Sequence, residues 1–215
     1  MFIPKQFRQD DKNMVMEAVK TIRFGVLVVF SEGRFFSSHL PFIIREENNQ
    51  MILEGHVSRA NELWKHAAKE NPAMVIFQGE HAYIHPGWYE TKKTTGKVVP
   101  TWNYQVIHLH GFAEKQEEPG WLLNHLEKLV THNEVDQKNP WKISDAPQDY
   151  IDGLTRAIVG IQFQVERFEA ALKMNQHHPQ ENRLGVIEGL KSSANFHDRA
   201  VGDIMQKLEA RRDKK

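Results

Sequence analysis

Apolar residues recur along the chain first at helical and then at alternating spacing. Met14, Val15, Ala18, Val19 and Ile22 share one helical face and predict a helix over 10–22. The run 24–30, FGVLVVF, is continuously apolar and rich in valine, which predicts a strand buried on both faces. Glu32-Gly33 turns the chain, 35–44 returns as a second strand, and Asn48-Asn49 turns it again into a third over 51–57. A short helix is predicted over 60–69, with Leu63, Trp64, Ala67 and Ala68 inward and Asn71-Pro72 ending it. Strands follow at 74–78, 103–112 and 159–168. In the last, Val159, Ile161, Phe163 and Val165 alternate with Gly160, Gln162, Gln164 and Glu166. Helical patterns cover 121–132, 148–157, 181–191 and 199–211. Strands joined by tight turns, with helices inserted and appended, predict an α+β fold built on a small, mainly antiparallel barrel. We expect a barrel domain over 1–170 and a helical C-terminal extension over 171–215, packed on the barrel or on a dimer partner.

Composition narrows the chemistry. The 215 residues include no cysteine, which excludes a disulfide scaffold, a thiol nucleophile and any Cys-ligated metal. Lys and Arg number 28, as do Asp and Glu, and this formal neutrality argues against broad nucleic-acid binding. The opening MFIPKQF has no charged-then-apolar signal pattern, and the longest apolar run is far short of the ~20 residues that span a bilayer. A soluble, cytoplasmic protein is expected. GxGxxG, GxxxxGK[ST], HExxH and GxSxG are all missing, so Rossmann dinucleotide binding, P-loop hydrolysis, zincin and serine-hydrolase chemistry lose their usual warrant.

The most suggestive stretch is Gly55-His56-Val57-Ser58-Arg59-Ala60-Asn61, where a strand ends and a helix is predicted to begin. Free backbone N–H groups and the positive end of a helix dipole favour a phosphate there. Ser58 adds a hydroxyl and Arg59 a guanidinium able to bind phosphate in bidentate fashion. The same residues satisfy a plainer reading, with Ser58 a helix cap and Arg59 a solvated charge.

Ser37-Ser38-His39-Leu40-Pro41-Phe42 carries a proline inside a strand, which places it at an edge or beside an opening. A flat ligand could lie on Leu40 and Pro41 while Ser38 or His39 meets its polar rim. An aromatic group, Tyr83, Trp88, Tyr89 and Val99-Pro100-Thr101-Trp102-Asn103-Tyr104, reads as an interface. His108-x-His110 puts two imidazoles on one strand face, near His39, His56, His81 and His85 in the chain order of strands, but no carboxylate stands at an obvious partner spacing, and no metal site is assigned. The basic tail 205–215 reads as a solvated helix end, and no recognition helix for DNA stands out.

Taken in chain order, Ile3-Pro4 with Phe7, Ser38-His39-Leu40-Pro41-Phe42, Gly55-His56-Val57-Ser58-Arg59-Ala60-Asn61 and Val99-Pro100-Thr101-Trp102-Asn103-Tyr104 resemble the PaiB-type FMN-binding negative transcriptional regulators. The resemblance covers roughly residues 1–112 and resumes weakly at 141–160 and 183–190. It implies the FMN-binding split barrel of pyridoxamine-phosphate-oxidase-like flavoproteins, a homodimer with flavin sites between subunits. By this resemblance Ser58, Arg59 and Asn61, with His56 in the same string, fall where such barrels hold the phosphate. Ser38, His39, Leu40 and Pro41 fall beside the ribityl chain and ring, and Trp102, Asn103 and Tyr104 border the site or the dimer seam. The family's Lys-x-Ser-Gln-Asn string is altered here to Lys173-Met174-Asn175-Gln176-His177.

Promoter DNA or a regulatory protein is the partner this implies. One alternative is a flavin-dependent oxidoreductase, whose cofactor would supply the chemistry that no acid, base or nucleophile constellation here supplies. Another is a haem-binding or haem-degrading protein of the same barrel superfamily, with His177 and His178 the candidate residues. A third is an interaction protein that has kept the barrel and lost the cofactor.

Overall fold

The computed structural model describes residues 1–212 and sets seven strands into one sheet. In chain order the elements are α1 (Lys12–Ile22), β1 (Phe24–Ser31), β2 (Arg34–Pro41), β3 (Ile43–Glu47), β4 (Gln50–Ser58) and α2 (Leu63–His66). They continue as β5 (Pro72–Ile84), α3 (Lys92–Thr95), β6 (Thr101–Gln116), α4 (Pro119–Glu134), α5 (Gln148–Arg156), β7 (Ile158–Lys173), α6 (Gln180–Lys191) and α7 (Phe196–Arg212). The strand order is β2-β1-β5-β6-β7-β4-β3. β1 pairs antiparallel with β2 and β5, and β4 pairs antiparallel with β3 and β7. The fold class is the expected one, α+β and mainly antiparallel.

Three local expectations are corrected. β1 is not buried on both faces: Gly25, Leu27, Val29 and Ser31 are buried, while Phe24 and Phe30 are exposed. The valines between them are half-buried, so the apolar run belongs to a sheet with one covered face. The strand expected at 35–44 breaks at Phe42, whose N–H leaves the ladder and donates to the Arg23 carbonyl at 2.8 Å, next to Pro41. The helix expected at 60–69 shrinks to the single turn of α2.

The chain packs as two compact units, drawn along a different line from the division expected at residue 170. One comprises 1–15, 78–107 and 169–212 of the described chain. Its core joins Ala82, Ile84 and Tyr89 to Leu172 and Met174 and to Val186, Leu190, Val201 and Met205 of α6 and α7. The other comprises 16–77 and 108–168, with Leu27, Leu53, Val75, Phe77, Leu109, Ile161 and Phe163 fully buried. The long strands β5, β6 and β7 each contribute residues to both, which is why a single cut in the sequence does not separate them. No helix among the described residues is long and apolar enough to cross a membrane. The basic tail runs through α7 to Arg212, and 213–215 lie outside the described residues.

Candidate functional site

Alternation along β2 buries Ser38 and Leu40 and exposes His39, whose ring stacks near Phe24 with centroids 6.4 Å apart. These residues, with Pro41, line a cavity of about 620 Å³ in the unit of 16–77 and 108–168. That volume is in the range of small-molecule and cofactor sites. The lining divides by chemistry. β2, β4 and the loop after β4 supply polar groups: Ser38, His39, His56, Ser58 and Asn61. α4, the segment 141–143 and α5 supply an apolar surface through Leu126, Val130, Trp141, Ile143, Ile151 and Leu154.

The polar side is held by its own hydrogen bonds. Asn61 Nδ2 donates to Ser38 Oγ at 2.7 Å, and Asn61 Oδ1 accepts from the Leu63 N–H at 2.9 Å. The Ser58 carbonyl accepts from the Asn61 N–H at 2.9 Å, and Ser58 Oγ accepts from the Ala60 N–H at 3.3 Å. The Arg59 N–H donates to the Ala157 carbonyl at 2.8 Å. The backbone donors of Ala60, Asn61 and Leu63 are therefore spent within the loop and that of Arg59 on Ala157, and α2 is too short to present a helix dipole. What the cavity retains are side-chain groups, the hydroxyls of Ser38 and Ser58, the amide of Asn61 and the rings of His39 and His56.

Arg59, read as the phosphate-binding guanidinium, is not among the lining residues of this cavity. Its Nη1 donates to Glu117 at 2.8 Å, Nε to the Arg156 carbonyl at 3.0 Å and Nη2 to the Ile158 carbonyl at 3.3 Å. That geometry ties the loop after β4 to the chain around α5 and β7. The cavity is lined by no Lys or Arg.

Trp102, Asn103 and Tyr104 belong to the other unit. Trp102 is 53% exposed, with its ring near His81 and Tyr83. Asn103 is fully buried, its Nδ2 on Met205 Sδ at 3.3 Å and its Oδ1 without a partner. Lys173 Nζ lies over the Tyr104 ring and donates to Thr101 Oγ1 at 2.6 Å. His177 and His178 are adjacent in this unit, and burial lowers the pKa of both. In the altered string, Gln176 Nε2 donates to the Gln6 carbonyl at 3.1 Å and Asn175 Nδ2 to the Tyr89 hydroxyl at 3.1 Å.

Sequence reasoning missed the buried group behind His56. His56 Nδ1 lies 3.0 Å from Nε2 of His125, a residue of α4 with no exposed surface. Burial, then the neighbouring His56, lowers the His125 pKa to about 4, and burial lowers that of His56. Trp121 stacks on the His125 ring at 5.4 Å and 17°. Across the β4–β7 ladder His56 faces Gly160, where a Cβ would stand 2.2 Å from the Trp121 ring. Glu54, two residues before His56, is also buried and accepts from Arg45 Nε at 2.6 Å and Lys128 Nζ at 3.3 Å. The helical periodicity of 121–132 was legible; nothing in it shows which strand residue its buried histidine meets.

Comparison with known proteins places this architecture. Residues 1–167 match the family model described as "Putative FMN-binding domain". The chain is 30% identical over 209 residues to protease synthase and sporulation protein PAI 2 of Bacillus subtilis, covering 96% of this chain and 97% of that protein. Among solved structures it resembles an FAD- and haem-binding protein from Mycobacterium smegmatis, with TM-score 0.58 and 11% identity over 82% of this chain and 78% of that one. It also resembles a flavocytochrome from Azotobacter vinelandii, with TM-score 0.55 and 13% identity over 80% and 72% of the two chains. These two likenesses are of fold, and agree with the split-barrel class expected.

Proposed function

The chain belongs to the family described as "Putative FMN-binding domain", and from that premise we propose that it binds FMN in the cavity between β2, β4, α4 and α5, as a cytoplasmic regulatory protein. The observation that carries this reading is the division of that cavity into uncharged side-chain donors and an apolar surface. A flavin needs both, a surface for a planar ring and donors for a ribityl chain and phosphate. Leu40, Pro41, Leu126 and Ile151 would take the ring, while Ser38, Ser58, Asn61 and His56 would take the polar atoms. When bound, FMN supplies electron-transfer chemistry through its own ring. The chain's part is to bind, orient and keep water from one face.

Flavin fluorescence titrated with purified protein tests this. Saturable quenching with one FMN per chain is expected, and an unchanged signal at high protein concentration would overturn it.

Homodimerisation is part of the same proposal. The cavity lacks a cation for a phosphate, which a second copy can supply, and Tyr83, Val99 and Trp102 expose large apolar surface in the other unit. Control of transcription, through DNA or a protein partner, is proposed from the resemblance to PaiB-type regulators and from the sporulation-linked relative. Sedimentation velocity with and without FMN, followed by promoter-binding assays, checks both; a monomer that retains full FMN binding would remove the dimer from the site.

A further inference from the structure

We infer that His56 is a fixed hydrogen-bond donor in the cavity, its proton held on Nε2 because His125 donates to its Nδ1. The inference rests on the cavity being a ligand site and concerns which atoms that ligand may present there.

The argument starts from a contact between two ring nitrogens. His56 Nδ1 and His125 Nε2 are 3.0 Å apart, so one carries a hydrogen and the other accepts it. Both rings are neutral near pH 7, since burial disfavours their charged forms. Two arrangements remain. If His56 donates, His125 must carry its own hydrogen on Nδ1. That atom is fully buried and has no hydrogen-bond partner, so an N–H would be stranded away from water at the full desolvation cost. If His125 donates, its Nδ1 holds only a lone pair, and both rings adopt the Nε2–H form that neutral histidine prefers in water. The second arrangement avoids an orphaned donor. It leaves Nε2–H as the free end of His56, and that nitrogen has no partner among the described residues.

The surroundings hold this choice in place. Trp121 stacks on His125 and occupies the room left by Gly160, directly across the ladder from His56. The nearby Glu54 carboxylate accepts from Arg45 and Lys128, and no hydrogen bond joins it to the buried nitrogen. His125 is thus a positioning residue: it touches the cavity only through His56, and it decides what His56 offers. The ligand group recognised is an acceptor, a hydroxyl, phosphate or carbonyl oxygen or an unprotonated ring nitrogen, and a group that can only donate is refused at that point.

Long-range ¹H–¹⁵N correlation spectra of the full chain labelled with ¹⁵N-histidine, at pH 7 without ligand, test this directly. His56 and His125, assigned through His56→Gln and His125→Gln, are both expected as Nε2–H tautomers. His56 protonated on Nδ1, or on both nitrogens, would overturn the inference, whatever the protein does with flavin. On adding FMN, the His56 Hε2 resonance should shift and exchange more slowly; an unmoved resonance in protein that quenches flavin would also overturn it. The correct tautomers with no quenching would sink the flavin reading and leave the donor standing. In binding assays His56→Gln, which keeps a donor near Nε2, should stay within about threefold of wild type, and His56→Leu should lose about tenfold. Equal losses would count against the donor role.

Discussion

Asn61 donates to Ser38 across 2.7 Å and so joins the loop after β4 to β2 at the polar side of the cavity. The bond fixes both partners. Asn61 Oδ1 is held by the Leu63 N–H, so its amide cannot turn over, and Ser38 Oγ, already an acceptor, keeps its own hydrogen to donate. Ser38→Ala removes that donor and strands the Asn61 amide. We expect FMN affinity to fall about tenfold, corresponding to ~1.4 kcal/mol. Titration of flavin fluorescence checks it, and Ser38→Thr, which restores the hydroxyl, should recover most of the loss.

Arg59 carries the opposite expectation. Its guanidinium is engaged by Glu117 and by two carbonyls of the chain around α5 and β7, and it does not line the cavity. Arg59→Ala should therefore lower Tm by roughly 2–4 °C while FMN affinity changes by less than about threefold. An affinity loss as large as that of Ser38→Ala, without a change in Tm, would return Arg59 to the phosphate.

Much of this was legible in the residues. The positions of α1, β1, α4, α5, α6 and α7 follow from apolar spacing, and Ser38, His39, Leu40, Pro41, His56, Ser58 and Asn61 do meet around one cavity. Where local expectation and structure differ, the cause is the same: local pattern does not state what lies opposite. Valine-rich β1 looks buried on both faces until its exposed phenylalanines are seen, and the residues beside Ser58 do not announce that three of the five Arg59 N–H donors face Glu117 and two carbonyls. Trp102, Asn103 and Tyr104 fall in the other compact unit, which no composition shift in the chain announces. His125 was invisible for the same reason: a histidine on the inner face of a helix is read as core until its strand partner is known.

Gly160 is a point where that hidden packing can be probed. Its missing side chain is filled by Trp121, whose ring would meet a Cβ at 2.2 Å. Gly160→Ala must push the indole off His125 and out of its place. We expect a destabilisation of about 1–3 kcal/mol, measured by denaturant midpoint, accompanied by a shift of the His125 ring resonances. A midpoint unchanged from wild type would mean that the Trp121–His125 stack contributes little.

Acid should act through His125. Its pKa in the folded protein is about 4 against an ordinary 6.5, so between those values the unfolded chain binds the proton more tightly than the native one. Stability from keeping His125 neutral is intact above pH 6.5 and is lost as pH falls toward 4, amounting to roughly 3 kcal/mol at the acid end. His56 is lowered in the same direction, again by burial, and adds to the slope without reversing it. Denaturant unfolding of wild type and His125→Gln from pH 7 to 4.5 reads the effect. The variant is expected to be less stable at pH 7, since it loses the buried ring and its bond to His56, and the gap should narrow as pH falls because glutamine has no proton to gain. Parallel curves across that range would show that His125 does not titrate below its ordinary value.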